Sequence, residues 1–314
     1  MENEFSEMKG VRPSNEELRR RVEHVKSIIV HHPIYMTVLE ELEMRFALGN
    51  DSLTSECLYL YGPTGAGKST VIREFVSRYP PFSKTSEYSS VPVLHVKVPL
   101  KATASSLASK VLLDLGYPFP TRRTELNHVR SLIMEREVKM LILEGAEHLN
   151  SKTINWVKTL IGEVNIPVVL CGISESMWMF VNDPQLNRLF TNKLELAPFR
   201  YGNKKETSAF LGFLHVMERQ LPFAKPTNLT EKTIAERLYY ASLGVASYLM
   251  QLMIEATICA VNDGDDSIEL EHLNQAFERI KLISRPFIVN PFALDDFELE
   301  AELKREKGNN FRAS

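Results

Sequence analysis

The order of apolar and amphipathic segments predicts an α/β fold: a P-loop core with a parallel sheet sandwiched by helices, then an all-helical lid domain. Three observations carry this expectation. Short apolar runs alternate with helical periods from Leu58 to Leu196, and strands separated by helices pair in parallel with both faces covered. A glycine-rich stretch, Gly62-Pro63-Thr64-Gly65-Ala66-Gly67-Lys68-Ser69, lies between the first apolar run and the first helix that follows it. After Pro198 the strand signals stop while helical periodicity continues.

Residues 1–14 read as flexible. From Asn15 to Phe46 the apolar residues Leu18, Val22, Val25, Ile28 and Ile29, then Val38, Leu39, Leu42 and Phe46, recur at helical spacings. His32-Pro33 breaks this stretch into two helices, an N-terminal helical arm over residues 1–50. Gly49-Asn50-Asp51-Ser52 is a turn. The core, residues 51–200, opens with the buried strand Leu58–Tyr61, the glycine loop and a helix from Thr70 to Tyr79. A strand over Val93–Val98 follows, then helices from Thr103 to Leu115 and from Glu125 to Glu135. Met140–Leu143 is the next strand, Lys152–Val164 a helix, Val168–Cys171 a strand and Leu194–Leu196 the fifth. The helical lid, residues 201–284, holds periods at Lys204–Gln220, Thr230–Ala241, Val245–Val261 and Leu270–Leu282. The C-terminal tail, residues 285–314, carries Pro286, Pro291 and a charge run, and reads as mobile or partner-bound.

At 314 residues, 44% hydrophobic and 25% charged, the chain has an ordinary globular composition and enough length for one large domain or two smaller ones. A net charge of -3 does not announce a nucleic-acid binder, although a groove can still gather a few basic residues. Cys57, Cys171 and Cys259 are odd in number and far apart, with neither zinc spacing nor a disulfide framework, which suits a reducing cytoplasm. No apolar run reaches membrane-spanning length. The start, Met1-Glu2-Asn3-Glu4-Phe5, is acidic where a signal peptide would be basic. The expectation is a cytoplasmic protein with no membrane partner.

The glycine stretch matches G-x-x-x-x-G-K-[ST] at every position. Small residues let backbone N–H groups turn inward around phosphate oxygens, at the positive end of the following helix. Residues 62–70, from Gly62 to Thr70, are therefore the expected ATP site, with Lys68 on the β- and γ-phosphates and the Ser69 hydroxyl on Mg2+. A chance glycine turn is the alternative, and the strand before and helix after it argue against that. The strand Met140–Leu143 ends in Glu144, the expected second magnesium-side residue. An acid at that place is usually an Asp followed by the Glu that polarises the attacking water. Here Gly145 follows, and the next carboxylate is Glu147, readable as the base or as a solvated helix-start residue. A carboxylate displaced by two residues along an extended chain predicts slow or absent hydrolysis. Ser174, just past Val168–Cys171, suits a γ-phosphate sensor as well as a plain turn serine. Arg188, before the last core strand, falls where ring ATPases place an arginine that reaches a neighbouring subunit's nucleotide, and it also reads as a surface arginine.

Several stretches together resemble the TniB/TnsC-type AAA+ ATPases, regulators of bacterial DNA transposition. They are His31-His32-Pro33 before a helix and the P-loop, Val98-Pro99-Leu100-Lys101-Ala102-Thr103 before a helix ending Leu115-Gly116, and Leu141 to Leu149 with its His148-Leu149. Pro167 to Gly172 and the closing Arg285 to Phe292 fit as well. The resemblance implies a ring or helical homo-oligomer, assembled with ATP around duplex DNA, that links a target-selecting protein to the transposase. It places the pore lining on the segment after the second strand, where Lys101, Thr103, Thr121, Arg122 and Arg123 are the candidates for sequence-independent contacts to the DNA backbone. The chain departs from the pattern at Glu144-Gly145, at Ile173, where a polar residue is common, and at Gly244–Ser247, which lacks a lid arginine. The rival reading is a stand-alone P-loop ATPase or small-molecule kinase acting as a monomer. A replication-loader or signalling ATPase of the same broad class is a third.

Overall fold

The chain enters through α1 (Asn15–Ser27), where the Ser14 hydroxyl caps the first turn by accepting from Glu17 N. A break at His32 separates it from α2 (Pro33–Leu48). The computed structural model describes residues 5–49, 56–83, 89–117, 126–280 and 285–313, without the last five side chains. It divides into two compact units, Pro33–Ala197 and Met1–His32 with Pro198–Ser314. The two helices of the N-terminal stretch therefore belong to different units.

In the first unit β1 (Leu58–Tyr61) leads through the glycine loop into α3 (Lys68–Ser77). A two-residue hairpin, β2 (Phe82–Ser83) with β3 (Ser89–Ser90), precedes β4 (Val93–Lys97), α4 (Ala104–Asp114) and α5 (Leu126–Glu135). Then come β5 (Met140–Glu144), a 3-10 turn over Ala146–His148, α6 (Ser151–Val164) and β6 (Val168–Gly172). A second 3-10 turn, Ser174–Met177, runs into α7 (Trp178–Asn182), α8 (Pro184–Leu189) and β7 (Asn192–Glu195). The five core strands line up as β4-β5-β6-β1-β7, every pairing parallel. Every β6 residue and all but the last of β5 are buried, as expected where helices cover both faces of a parallel sheet. The core beneath gathers Leu94, Val96, Leu141, Leu143, Val168 and Leu170 from the strands with Leu107, Val111, Ile133, Val157 and Ile161 from the helices.

The acid-bearing strand β5 is not the neighbour of β1, because β6 is inserted between them. The hairpin and the short helices α7 and α8 were not anticipated either.

The second unit packs α9 (Lys204–Glu218), α10 (Lys232–Ser242), α11 (Ala246–Asp263) and α12 (Leu270–Arg279) with α1, a 3-10 turn over Pro291–Ala293 and α13 (Leu299–Ala313). Its core joins Phe199, Phe210, Phe213, Leu249, Met253, Leu273 and Phe277 to Val25 of α1 and Phe292 of the closing segment. Residues 5–14 and 285–313 make hydrogen bonds and ion pairs within this unit. Met8 N donates to Asp266 Oδ1 at 2.5 Å, and Gly10 N to Gly264 O at 2.9 Å. Arg285 forms a buried ion pair with Glu306 and donates to Tyr240 O at 2.6 Å. Among the described residues no single helix is long and apolar enough to cross a membrane.

Candidate nucleotide site

The site begins where β1 stops. Gly62 has φ +151, and a side chain there would start 2.3 Å from Leu196 O, so the chain passes β7 only because this residue is glycine. Gly67 then caps α3 without a side chain, leaving the cap to whatever the loop encloses. A helix opening in this way, with an N-terminal turn of backbone N–H groups and a glycine-rich approach, is a receptor for an anion.

Lys68 is the first residue of α3 and folds back over the loop, its Nζ donating to Gly62 O at 2.7 Å and Pro63 O at 2.8 Å. Burial lowers the pKa of its ammonium, opposed by Cys171 and then by the carboxylates of Glu147 and Glu144. Burial also pushes the Cys171 thiol up to about 12, so it is uncharged at neutral pH and the carboxylates of Glu147, Glu144 and Glu175 are what oppose the lowering at the lysine. Ser69, on the same first turn, donates its hydroxyl to Glu144 Oε1. The other oxygen, Oε2, is held by His95 Nε2 at 2.8 Å. The His95 hydrogen bond, followed by the one from Ser69, holds the Glu144 carboxyl down at about 2, so it is a carboxylate at any physiological pH.

One hydroxyl and one carboxylate fit magnesium, which takes few protein oxygens and completes its shell with water and substrate phosphates. Among the described residues there is no cluster of three or more His, Cys, Asp or Glu that would suggest a different, all-protein cage.

Past Glu144 the backbone does not run on extended. Gly145 has φ +98 and opens the 3-10 turn over Ala146–His148. The expectation of slow hydrolysis assumed an extended chain, and its geometric premise fails: the turn draws Glu147 back beneath β6. Its Oε2 lies 3.2 Å from where a Cβ on Gly172 would be. That oxygen is buried and has no hydrogen-bond partner among the described residues. A buried carboxylate oxygen without a donor is costly unless something else hydrates or uses it.

Ser174 heads the 3-10 turn after β6 and is half-buried. Beside it Ile173 O receives Tyr59 Oη at 3.0 Å and Ser176 Oγ at 2.8 Å, so this turn is tied to β1 by groups the sequence reading did not single out. Arg188 is exposed on the last turn of α8, with no ion-pair partner among the described residues. The structure thus brings together Lys68, Ser69, Glu144 and Glu147, and leaves Arg188 facing outward.

His95 was also missed. A polar residue inside a strand covered on both faces is the signal that could have found it, strengthened by Lys97 two residues on and therefore on the same face. The register pairs Lys97 with Glu144.

Of the candidate DNA residues, Thr121, Arg122 and Arg123 lie outside the described residues. Lys101 is exposed at φ +51, on the turn between β4 and α4. Thr103 is the N-cap of α4: its hydroxyl accepts from Ser106 N at 3.1 Å within a capping box. That hydroxyl therefore has a local structural task. The turn is fastened to the acid-bearing segment, with Val98 N donating to Glu144 O at 2.8 Å and Asn150 Nδ2 to Ala102 O at 2.8 Å.

A family model described as "Bacterial TniB protein" matches residues 21–200. No curated protein matches the chain. Among solved structures it is similar to Cdc6p from Pyrobaculum aerophilum, at 14% identity over 82% of this chain and 70% of that one, with a TM-score of 0.62. The Aeropyrum pernix ORC1 protein, solved in complex with DNA, is 15% identical over 83% and 69%, TM-score 0.59. Drosophila ORC bound to DNA is 14% identical over 90% and 72%, TM-score 0.57. At these identities the likeness shows the fold, that of the AAA+ ATPases, with its parallel sheet and helical second unit.

Proposed function

The chain belongs to the bacterial TniB family, and on that premise we propose that it is an ATP-dependent regulator of DNA transposition. In this reading it binds ATP and magnesium, assembles as a ring or helical homo-oligomer on duplex DNA in the bacterial cytoplasm, and links a target-selecting protein to the transposase. The observation that carries the reading is the meeting of Ser69 and Glu144 at the glycine-capped start of α3. Two of the similar AAA+ structures were solved with DNA, which supports the nucleic-acid part.

Each residue then has a task. The loop from Gly62 to Thr70, with Pro63, Thr64, Gly65, Ala66 and Gly67 between, wraps the phosphates, and Lys68 leaves its carbonyl contacts to neutralise them. Ser69 and Glu144 would hold magnesium, which would supply positive charge to offset the negative charge of the phosphates. Glu147 orients the attacking water and takes its proton. Ser174 stands at the γ-phosphate end. Arg188 reaches the nucleotide of the next copy, and Lys101 contacts the DNA backbone.

The test is particle size, by mass photometry and size-exclusion chromatography, with and without a slowly hydrolysed ATP analogue and random-sequence duplex. Wild type should form large particles only with both. Lys68→Ala should lose nucleotide affinity and assembly together, whereas Arg188→Ala should bind nucleotide and stay monomeric. A wild type that stays monomeric under all conditions would favour the stand-alone ATPase or kinase, and unchanged nucleotide affinity in Lys68→Ala would sink the site assignment.

A further inference from the structure

We propose that His95 is the positioning residue for the magnesium-side carboxylate, holding Glu144 so that one chosen oxygen faces the P-loop; the proposal rests on the magnesium reading above. Nε2 of His95 lies 2.8 Å from Glu144 Oε2, while Oε1 of the same carboxylate receives the Ser69 hydroxyl. The two oxygens are therefore divided between two jobs. Against a carboxylate, which can only accept, the histidine nitrogen must carry its proton and donate.

The sheet explains why the histidine reaches. β4 lies outside β5, with His95 paired to Ile142 and Lys97 to Glu144. Side chains alternate along a strand, so His95 shares the face of Lys97 and hence of Glu144, one pleat back. A carboxylate at a strand end otherwise turns about three side-chain bonds. With Oε2 tethered to a strand of the sheet, those torsions are fixed before any ligand arrives, and Oε1 is the oxygen left toward Ser69. A ligand's outer partner works in this way wherever a carboxylate binds a cation: it sets orientation, and its loss costs about 10–100-fold in metal affinity.

The tether also compensates for a feature of this chain. Gly145 carries no side chain to brace Glu144, and its φ of +98 turns the chain away immediately after the acid. His95 restrains that carboxylate from the adjoining strand.

The experiment uses the full chain and Mn2+ as the probe. Mn2+ affinity in the presence of a slowly hydrolysed ATP analogue is read by electron paramagnetic resonance, and nucleotide affinity without divalent metal is read in EDTA with a fluorescent analogue. His95→Ala should weaken Mn2+ by about 10-fold or more while the EDTA affinity stays at the wild-type value. His95→Gln, whose amide can donate to the same oxygen, should recover most of the loss. Wild-type Mn2+ affinity in His95→Ala, or equal losses of both affinities, would overturn the proposal, the second by making His95 a structural residue. Glu144→Gln is the control: unchanged Mn2+ affinity there would overturn the magnesium reading, and the proposal with it.

Discussion

At the scale of single residues, the segment from Glu144 to Glu147 decides how this candidate nucleotide site differs from the usual P-loop arrangement. An Asp-Glu pair puts metal acid and base on consecutive residues. Here the second position is Gly145 at φ +98, a conformation in which an L side chain is strained. Its Cβ would also press on His148 Cδ2 at 3.3 Å. Gly145→Glu should therefore not restore a base; it should cost roughly 1–2 kcal/mol of stability. Glu147, brought back by the turn with one oxygen buried and without a hydrogen-bond partner among the described residues, is the carboxylate the site offers instead. Glu147→Gln should lower DNA-stimulated phosphate release by about 10²–10⁴-fold while nucleotide binding persists. If the variant releases phosphate at the wild-type rate, Glu147 has no catalytic role, and a switch that is rarely reset by its own chemistry becomes the better account.

At the scale of elements, the sequence was legible where its signal was long or chemically strict. The P-loop, five core strands and four of the five helices described after Pro198 announced themselves through periodicity or a motif with a fixed spacing, while α13 lies in the segment read as a tail. The α7 and α8 helices have 5 and 6 residues, less than the two turns over which a 3.6-residue period repeats visibly. His95 escaped because its meaning depends on the register between β4 and β5, which no single strand encodes. Thr103 was read as a DNA contact, and its N-cap bond became visible only with the helix start in place. The same geometry gives a test of how α6 steadies the Lys101 turn. Asn150 caps α6 with its carbonyl oxygen, accepting from Lys152 N and Thr153 N, and holds Ala102 O with its amide. Asn150→Asp keeps the acceptor and loses the donor, so stability should change little, while hydrogen exchange should quicken in the peptide over residues 99–103. Asn150→Ala loses both and should cost about 1–2 kcal/mol. Equal exchange in the Asp variant and wild type would mean that the amide bond does not restrain the turn.

At the scale of the whole molecule, the N-terminal residues divide between the two compact units, a membership their own sequence does not show. Arg21 of α1 donates to Pro222 O across 201 positions of sequence, and a contact that distant leaves no local trace. His32 ends the same stretch, its ring edge-on to Phe199 at 4.8 Å and Phe213 at 5.9 Å. Burial among these rings, and then the electrostatic influence of the neighbouring His31, lowers its pKa from 6.5 to about 4. The folded unit thus favours the neutral ring. Above pH 6.5 the folded and unfolded forms are both neutral there and nothing is lost. As the pH falls below 6.5 the unfolded chain takes up a proton that the folded one refuses, and stability drops until about pH 4, then levels. The displacement corresponds to about 3 kcal/mol. Trp156 and Trp178, the chain's two tryptophans, both lie in the Pro33–Ala197 unit, so their fluorescence follows that unit while far-UV circular dichroism follows both. In urea titrations across this range, the helical signal of wild type should lose resistance that the tryptophan signal does not report. His32→Phe, which keeps an aromatic ring and removes the titration, should flatten that dependence. If wild type and variant lose helical signal in parallel from pH 6.5 to 4, the acid sensitivity belongs to other groups and His32 is a packing residue alone.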